Sequence, residues 1–444
     1  ADGQHGRPVT HNGIDEVDPE LSPDNRTVLF LADANARQEP YYTTNVFVVP
    51  AAGGTPQLIV PDFPYSIDQA TWMPDGKNVL AAVNMGVHSE VFLLDVDAHR
   101  ARQLTDGRHF ITPGSLSIVP AAETIVMQLD EPTRFGDVWT LPLRGASPAR
   151  PPTRVTDLFD RMEREVALPR QEKVEWKSTD GTTIEGVLFY PIDYVPGRRY
   201  PLIVQMHGGP GDSDKFGAGV GLLDRYFPVS TAKGYAVLRP NYRGSSGYGN
   251  AFYRAIIGDY FTRQAEDILS GIDHLVQAGV VDPDRLIATG WSAGGHLTNK
   301  LITMTSRFKA ASSGAGVANW ISLYAQTDTR VDRTVWFGGT PWQKDAPIAA
   351  YWNNSPLKDV ANVRTPTLFF VGVSDPRVPK EQSIEMYRAL KSNGVPTALY
   401  IAPHEPHQWG GLHHLLDKAN HELEWFDKYA LGRAYLPEKA PDKK

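Results

Sequence analysis

Residues 285–297 read RLIATGWSAGGHL: an apolar run, then Gly290-Trp291-Ser292-Ala293-Gly294, then a helix-compatible pattern. A serine hydroxyl becomes a useful nucleophile only when a base takes its proton and an acid orients that base. Gly-x-Ser-x-Gly between a strand and a helix suits this chemistry. The turn presents the serine, and the glycines let the helix approach its strand. In that arrangement the acid and then the base follow the serine along the chain, each just past a strand end. TLFFVGVSDPRVP supplies Asp375, 83 residues after Ser292. ALYIAPHEPHQW supplies His404 and His407, the latter 32 residues beyond Asp375. His407 is the preferred base. His404, closer to the strand and beside Glu405, reads as a surface histidine, and His413, His414 and His421 as solvated or packing residues of a helical stretch.

The tetrahedral intermediate of acyl transfer also needs hydrogen-bond donors aimed at its oxyanion. One is expected from the backbone N–H of Ala293, directly after the nucleophile. The other is expected from MHGGPG (206–211), with Gly209 preferred and Gly208 next. The plainer reading of both glycine-rich stretches is a tight turn; their positions at strand ends argue for chemistry. The histidines show no HExxH spacing, and no metal or other cofactor is expected.

These residues need a scaffold that brings distant strand ends together. From about residue 200, apolar strands alternate with amphipathic helices: YPLIVQMH, GYAVLRPN, RLIATG, TPTLFFVGV and TALYIAP are the strands. One helix after Asp259 puts Ile268, Ile272, Leu275 and Val276 on a single face, and another carries Ile384, Tyr387 and Leu390. Nearly continuous apolar strands between helices predict an α/β domain on a parallel sheet.

Residues 9–165 differ, with short β-rich runs separated by Pro, Gly, Asn and Asp. A loose repeat runs through them: LSPDNRTVLFLA, WMPDGKNVLAAV and IVPAAETIVMQL share a turn and a strand. Pro23, Pro74 and Pro120 lie 51 and 46 residues apart, close to the length of one propeller blade of about 40–50 residues. A small β-sandwich with coincidental turn spacing is the alternative. Three blades do not close a ring, so an N-terminal portion of the propeller is expected to be missing from this chain, lost or present as a separate fragment. The expected domains are an incomplete β-propeller over 1–165, an α/β domain over 166–432 and a tail over 433–444.

The chain has 444 residues, 41% hydrophobic, with a formal net charge of -7 and no cysteine. Disulfides and thiolate chemistry are therefore excluded. The acidic balance and the lack of a long basic block argue against nucleic acid or an anionic membrane as partner. ADGQHGRPVTHNG has no apolar signal core, so a leader is absent or removed; a soluble protein of open compartment and open self-association is expected.

HGGPG, NYRGSSGYG, GWSAGG, FGGTPW, GVSDPRVPKEQS and PHEPH together resemble the catalytic domain of the prolyl oligopeptidase family of serine peptidases, nearest its acylaminoacyl-peptidase and dipeptidyl-peptidase-like branches. The resemblance spans residues 173–430. It implies an α/β-hydrolase domain with Ser292, Asp375 and His407 as nucleophile, acid and base, and an N-terminal β-propeller that screens substrates by size. It also implies a short peptide as substrate. The paired-glutamate signature with which dipeptidyl peptidases hold a free amino terminus is not evident. Arg330, nine residues before Gly339, stands where acylaminoacyl-peptidases carry a carbonyl-binding Arg; a plain surface arginine is the alternative. A serine exopeptidase is thus expected, with a carboxylesterase as the alternative and a non-catalytic binding protein as a third class. Trp320, Tyr324, Trp336 and Trp352 either line an apolar pocket or pack.

Overall fold

A computed structural model describes residues 6–143, 151–218 and 226–435. Most of the expected tail (436–444) and residues 144–150 lie outside the described residues. The chain divides into two compact units. The first comprises residues 1–168 with 215–219 and 245–254, and the second the remainder. Leu168/Pro169 is thus the main boundary, and the first unit recruits two short segments from far along the chain. Asn250 Oδ1, for instance, accepts the backbone N–H of Thr43 at 3.0 Å.

The first unit is a β-rich, propeller-like domain. One antiparallel sheet holds Val17–Leu21, Thr27–Ala34, Pro40–Pro50 and Gln57–Leu58 in order. The next repeats the plan with Ser66–Trp72, Asn78–Asn84, Ser89–Asp95 and Arg100–Gln103. The third is centred on Thr124–Glu131 and Arg134–Pro142. The repeated turns share their chemistry. After Pro74, Asp75 Oδ1 accepts the backbone N–H of Lys77 at 2.8 Å and of Asn78 at 3.0 Å. After Pro23, Asp24 Oδ1 accepts that of Arg26 at 3.1 Å. An Asp side chain that holds its own backbone two residues on is a local turn device that needs no tertiary help.

Strand alternation decides between the two readings of this unit. On Asn78–Asn84, Val79, Ala81 and Val83 pack with Leu29, Leu31, Val46 and Val48 of the first sheet. The opposite face, Leu80 and Ala82, packs with Ile125, Met127, Leu129 and Leu141 of the third. A two-layer sandwich leaves every sheet one solvent face. The middle sheet here has none, so three sheets stack face to face.

The second unit is an α/β-hydrolase domain on one eight-stranded sheet. Its strands are β1 (Gln171–Lys177), β2 (Thr183–Phe189), β3 (Tyr200–Met206), β4 (Ala236–Asn241), β5 (Val281–Trp291), β6 (Phe308–Gly314), β7 (Thr367–Gly372) and β8 (Thr397–Ala402). Their order is β1-β2-β4-β3-β5-β6-β7-β8. β1–β2 and β2–β4 pair antiparallel and all later neighbours parallel, so the parallel sheet carries an antiparallel edge. Every residue of β3, β4 and β7 is buried, as strands covered by helices on both faces require. Two of those helices are α1 (Thr262–Gln277) and α2 (Ala293–Met304), the latter buried over nearly its whole length. No helix among the described residues is long and apolar enough to cross a membrane.

Candidate active site

β5 runs straight into Ser292, which adopts φ 59°, ψ -118°, and α2 starts at the next residue. For a residue with a Cβ this backbone costs about 1–3 kcal/mol and persists only where its surroundings fix it. Two bonds do so here: the Ser292 N–H donates to Gly314 O at 2.9 Å, and the His296 N–H donates to Ser292 O at 2.9 Å. The helix then leaves against the end of β3. A Cβ at Gly294 would lie 2.1 Å from the Met206 carbonyl oxygen, so only glycine lets helix and strand meet there.

Asp375 lies three residues past the end of β7, with its carboxylate fully buried. Oδ1 accepts the backbone N–H groups of Arg377 and Val378, each at 2.9 Å. Oδ2 lies 2.7 Å from His407 Nδ1. A carboxylate only accepts, so the imidazole carries its proton on Nδ1 and keeps the lone pair of Nε2 for another partner. His407 follows β8, and the indole N–H of Trp291, beside Ser292, donates to its backbone carbonyl at 2.9 Å. Ser292, Asp375 and His407 therefore share the carboxyl-terminal edge of the sheet.

The other histidines separate cleanly. His404 is exposed with φ 63° and does not face Asp375. His414 Nδ1 sits 2.7 Å from Glu405 Oε1, His421 stacks on Tyr400 at 4.3 Å between ring centroids, and His413 is exposed.

The loop after β3 lies against the serine. A Cβ at Gly208 would stand 3.5 Å from Ser292 Cβ, in ordinary contact. Gly209, exposed, has φ 104°, and a Cβ there would sit 2.6 Å from the Gly211 nitrogen. The preceding His207 is held by stacking on Tyr242 at 4.4 Å and by the Tyr242 hydroxyl, which donates to His207 O at 2.8 Å. Burial drives the Tyr242 phenol far above its ordinary value, so it stays a donor. Ala293 opens α2, and the first N–H groups of a helix have no acceptor within it. The Gly208 loop and the first turn of α2 thus both lie beside the serine.

Arg330 begins a short helix, α3 (Arg330–Phe337), and is exposed. Trp320, Tyr324 and Trp336 are buried. Trp320 and Trp336 pack around Tyr260, each at 4.8 Å, and Trp352 is exposed. Trp320, Tyr324 and Trp336 are thus packing residues. His296, on α2 one turn past Ser292, is wholly buried among them, and that burial lowers its pKa to about 3.

Two residues with clear structural roles escape the sequence reading. Trp291 is the unspecified second residue of Gly-x-Ser-x-Gly. Glu405 accepts the backbone N–H groups of Gly410 and Gly411, each at 2.9 Å, besides His414. An aromatic beside a nucleophile and a carboxylate two residues before a base are the signals that could have found them.

Residues 223–433 match the sequence model of the prolyl oligopeptidase family. An uncharacterized peptidase, YuxL of Bacillus subtilis, is 32% identical over 323 residues, covering 71% of this chain and 47% of its own length. Dipeptidyl-peptidase 5 of Porphyromonas gingivalis is 28% identical over 400 residues, 88% of this chain and 55% of its own. The chain thus spans about half the length of these relatives. The acylaminoacyl peptidase of Pyrococcus horikoshii shares the fold with a TM-score of 0.79 at 22% identity, over 94% of this chain and 63% of that one.

Proposed function

Given that the chain belongs to the prolyl oligopeptidase family, we propose that it is a serine exopeptidase that cleaves short peptides through an acyl-enzyme. The observation that carries the reading is the bond between His407 Nδ1 and the buried Asp375 carboxylate, on the same sheet edge as Ser292 on its strained turn.

In this mechanism His407 Nε2 takes the proton from Ser292 Oγ as that oxygen attacks the scissile carbonyl carbon. Asp375 keeps the imidazole in the Nδ1–H tautomer and stabilises the imidazolium that forms. The carbonyl oxygen, now an oxyanion, is received by the N–H groups of Ala293 and Gly209, with Gly208 as the neighbouring donor. The imidazolium gives its proton to the leaving amine and the acyl-enzyme remains. Water then attacks through the same base, and Ser292 is released with the carboxylate product. No step requires a cofactor.

Acylaminoacyl peptidases and dipeptidyl peptidases both stand among the relatives, and the two chemistries differ in the substrate's amino terminus. Arg330 would bind a carbonyl of an N-blocked peptide. One peptide offered free and N-acetylated, with products identified by mass, tests this. Release of the acetylated first residue supports the acylaminoacyl reading, and cleavage after the second residue of the free form supports the dipeptidyl one. Failure to cut either form, with turnover of a matched ester, would make the protein an esterase.

A further inference from the structure

The indole of Trp291 is fixed on several sides. It is 5% exposed, and its ring meets Trp409 edge-on at 5.2 Å. The ammonium of buried Lys418 lies 5.7 Å from the ring centroid, itself held by Glu422 at 2.9 Å. The main chain of β6 gives way to the ring: a Cβ at Gly314 would lie 2.1 Å from its Cε3 atom. The same Gly314 offers the carbonyl that receives the Ser292 N–H. An indole so confined has one direction for its N–H, and that direction is the His407 carbonyl, 116 residues along the chain.

We propose that Trp291 is a positioning residue whose indole N–H ties the loop of the base to the turn of the nucleophile and so sets where the His407 imidazole lies relative to Ser292. The role rests on the reading of His407 as the base. Asp375 fixes the ring's rotation through Nδ1, whereas the indole fixes the backbone from which the ring hangs. Without both, the imidazole can point correctly and still stand too far away, and small misplacements of a reacting group are costly in rate.

The test is Trp291→Phe, which keeps an aromatic ring and deletes the donor. Its kcat on a peptide p-nitroanilide is expected to fall about tenfold with KM unchanged, the change that one net hydrogen bond of positioning supplies. A merely structural role would act whether or not the base is present. The rate of Ser292 acylation by a fluorophosphonate is therefore compared in wild type, Trp291→Phe, His407→Ala and the double variant. The tie requires the effect of Trp291→Phe to vanish when His407 is alanine, since the residual rate no longer uses an imidazole. Multiplicative effects, or a Trp291→Phe rate equal to wild type, would overturn it. Should Trp291→Phe fail to fold, benzothienylalanine at 291 replaces the N–H by sulfur in a ring of the same shape, with the same expectations. A wild type that does not label at Ser292 defeats the active-site reading and this inference together; a labelled wild type with an unaffected variant defeats the inference alone.

Discussion

Asp375 and Glu90 are buried carboxylates that face imidazoles, and they do different work. Asp375 meets His407 at 2.7 Å; Glu90, in the first unit, meets His88 at 2.8 Å and His109 at 3.0 Å. Glu90 also accepts the Thr105 hydroxyl at 2.5 Å and the Gly107 N–H at 2.9 Å, so both its oxygens are spent on the ends of its own sheet. Asp375 spends one oxygen on backbone and the other on a single, partly exposed ring whose own backbone carbonyl receives the Trp291 indole N–H. Distance between a carboxylate and an imidazole does not distinguish a structural pair from a catalytic one. In the proposed mechanism what distinguishes them is the remaining nitrogen of His407, which takes the Ser292 proton.

The largest effects break this contrast from the catalytic side. Ser292→Ala and His407→Ala should each lower kcat by about 10⁴–10⁶-fold, measured on a peptide p-nitroanilide, while leaving the thermal transition nearly in place. Asp375→Asn should cost about 10⁴-fold, because an amide can donate where the carboxylate only accepts and so favours the wrong tautomer. His109→Ala should do the reverse: kcat stays and stability falls. If His109→Ala abolished turnover in protein that is still folded, the separation of the two pairs would be wrong.

Acid sharpens the comparison. Burial alone would raise the Glu90 pKa, but its bonds to His109 and His88 hold it at about 2, below its ordinary 4.5. Between these values the unfolded chain binds the extra proton. Glu90 therefore stabilises its unit fully above 4.5, and this contribution is lost as pH falls toward 2. Behind Ser292, burial lowers His296 from 6.5 to about 3. Its contribution is complete above 6.5 and drains away between 6.5 and 3. The catalytic unit should thus weaken first on acidification. Hydrogen exchange followed by mass spectrometry should show Ala293–Met304 losing protection at a higher pH than Ser89–Asp95. The opposite order would remove His296 as the acid-sensitive element. The Glu90 cluster itself is read by Glu90→Gln, expected to destabilise by about 3 kcal/mol in denaturant without changing kcat.

The scaffold was legible where local chemistry and burial agree. The Pro-Asp turns announce their hairpins, and YPLIVQM and TLFFVG are apolar because both faces of those strands are covered. β6 was not legible. FKAASSG has little β-branched or aromatic character, yet it is a central strand. Small residues are needed there, since a Cβ at Gly295 of α2 would lie 2.2 Å from Gly314 O and the Trp291 ring presses on Gly314. Close packing displaced propensity. On Lys380–Ser392 the expected stripe holds at Leu390, which is buried together with Met386, while Ile384 and Tyr387 are half-buried. Within the site, chain order and strand ends point to Ser292, Asp375 and His407, and the fold places all three at the carboxyl-terminal edge of the sheet. Trp291 acts through a backbone carbonyl 116 residues along the chain, and Glu405 through the N–H groups of Gly410 and Gly411 in its own loop; the motif encodes neither.

The smallest effect concerns two arginines one turn apart on α3, and it repeats the contrast between committed and uncommitted groups. Arg333 is committed: its guanidinium lies 4.1 Å from the Trp336 ring centroid and donates to Thr329 Oγ1 at 3.2 Å. Arg330 is exposed at the start of the helix. A guanidinium in solvent adds little to stability, so Arg330→Ala should change the unfolding free energy by no more than an ordinary surface substitution, about 0.5 kcal/mol. If Arg330 receives a substrate carbonyl, the same change should raise KM for an N-acetylated peptide by about tenfold, one hydrogen bond to a charged group, with kcat held. Arg333→Ala should show the opposite division, a lower melting temperature before any specific change in KM. An unchanged KM in Arg330→Ala would make that residue the surface arginine its exposure also allows, and the carbonyl ligand would have to be sought on another loop.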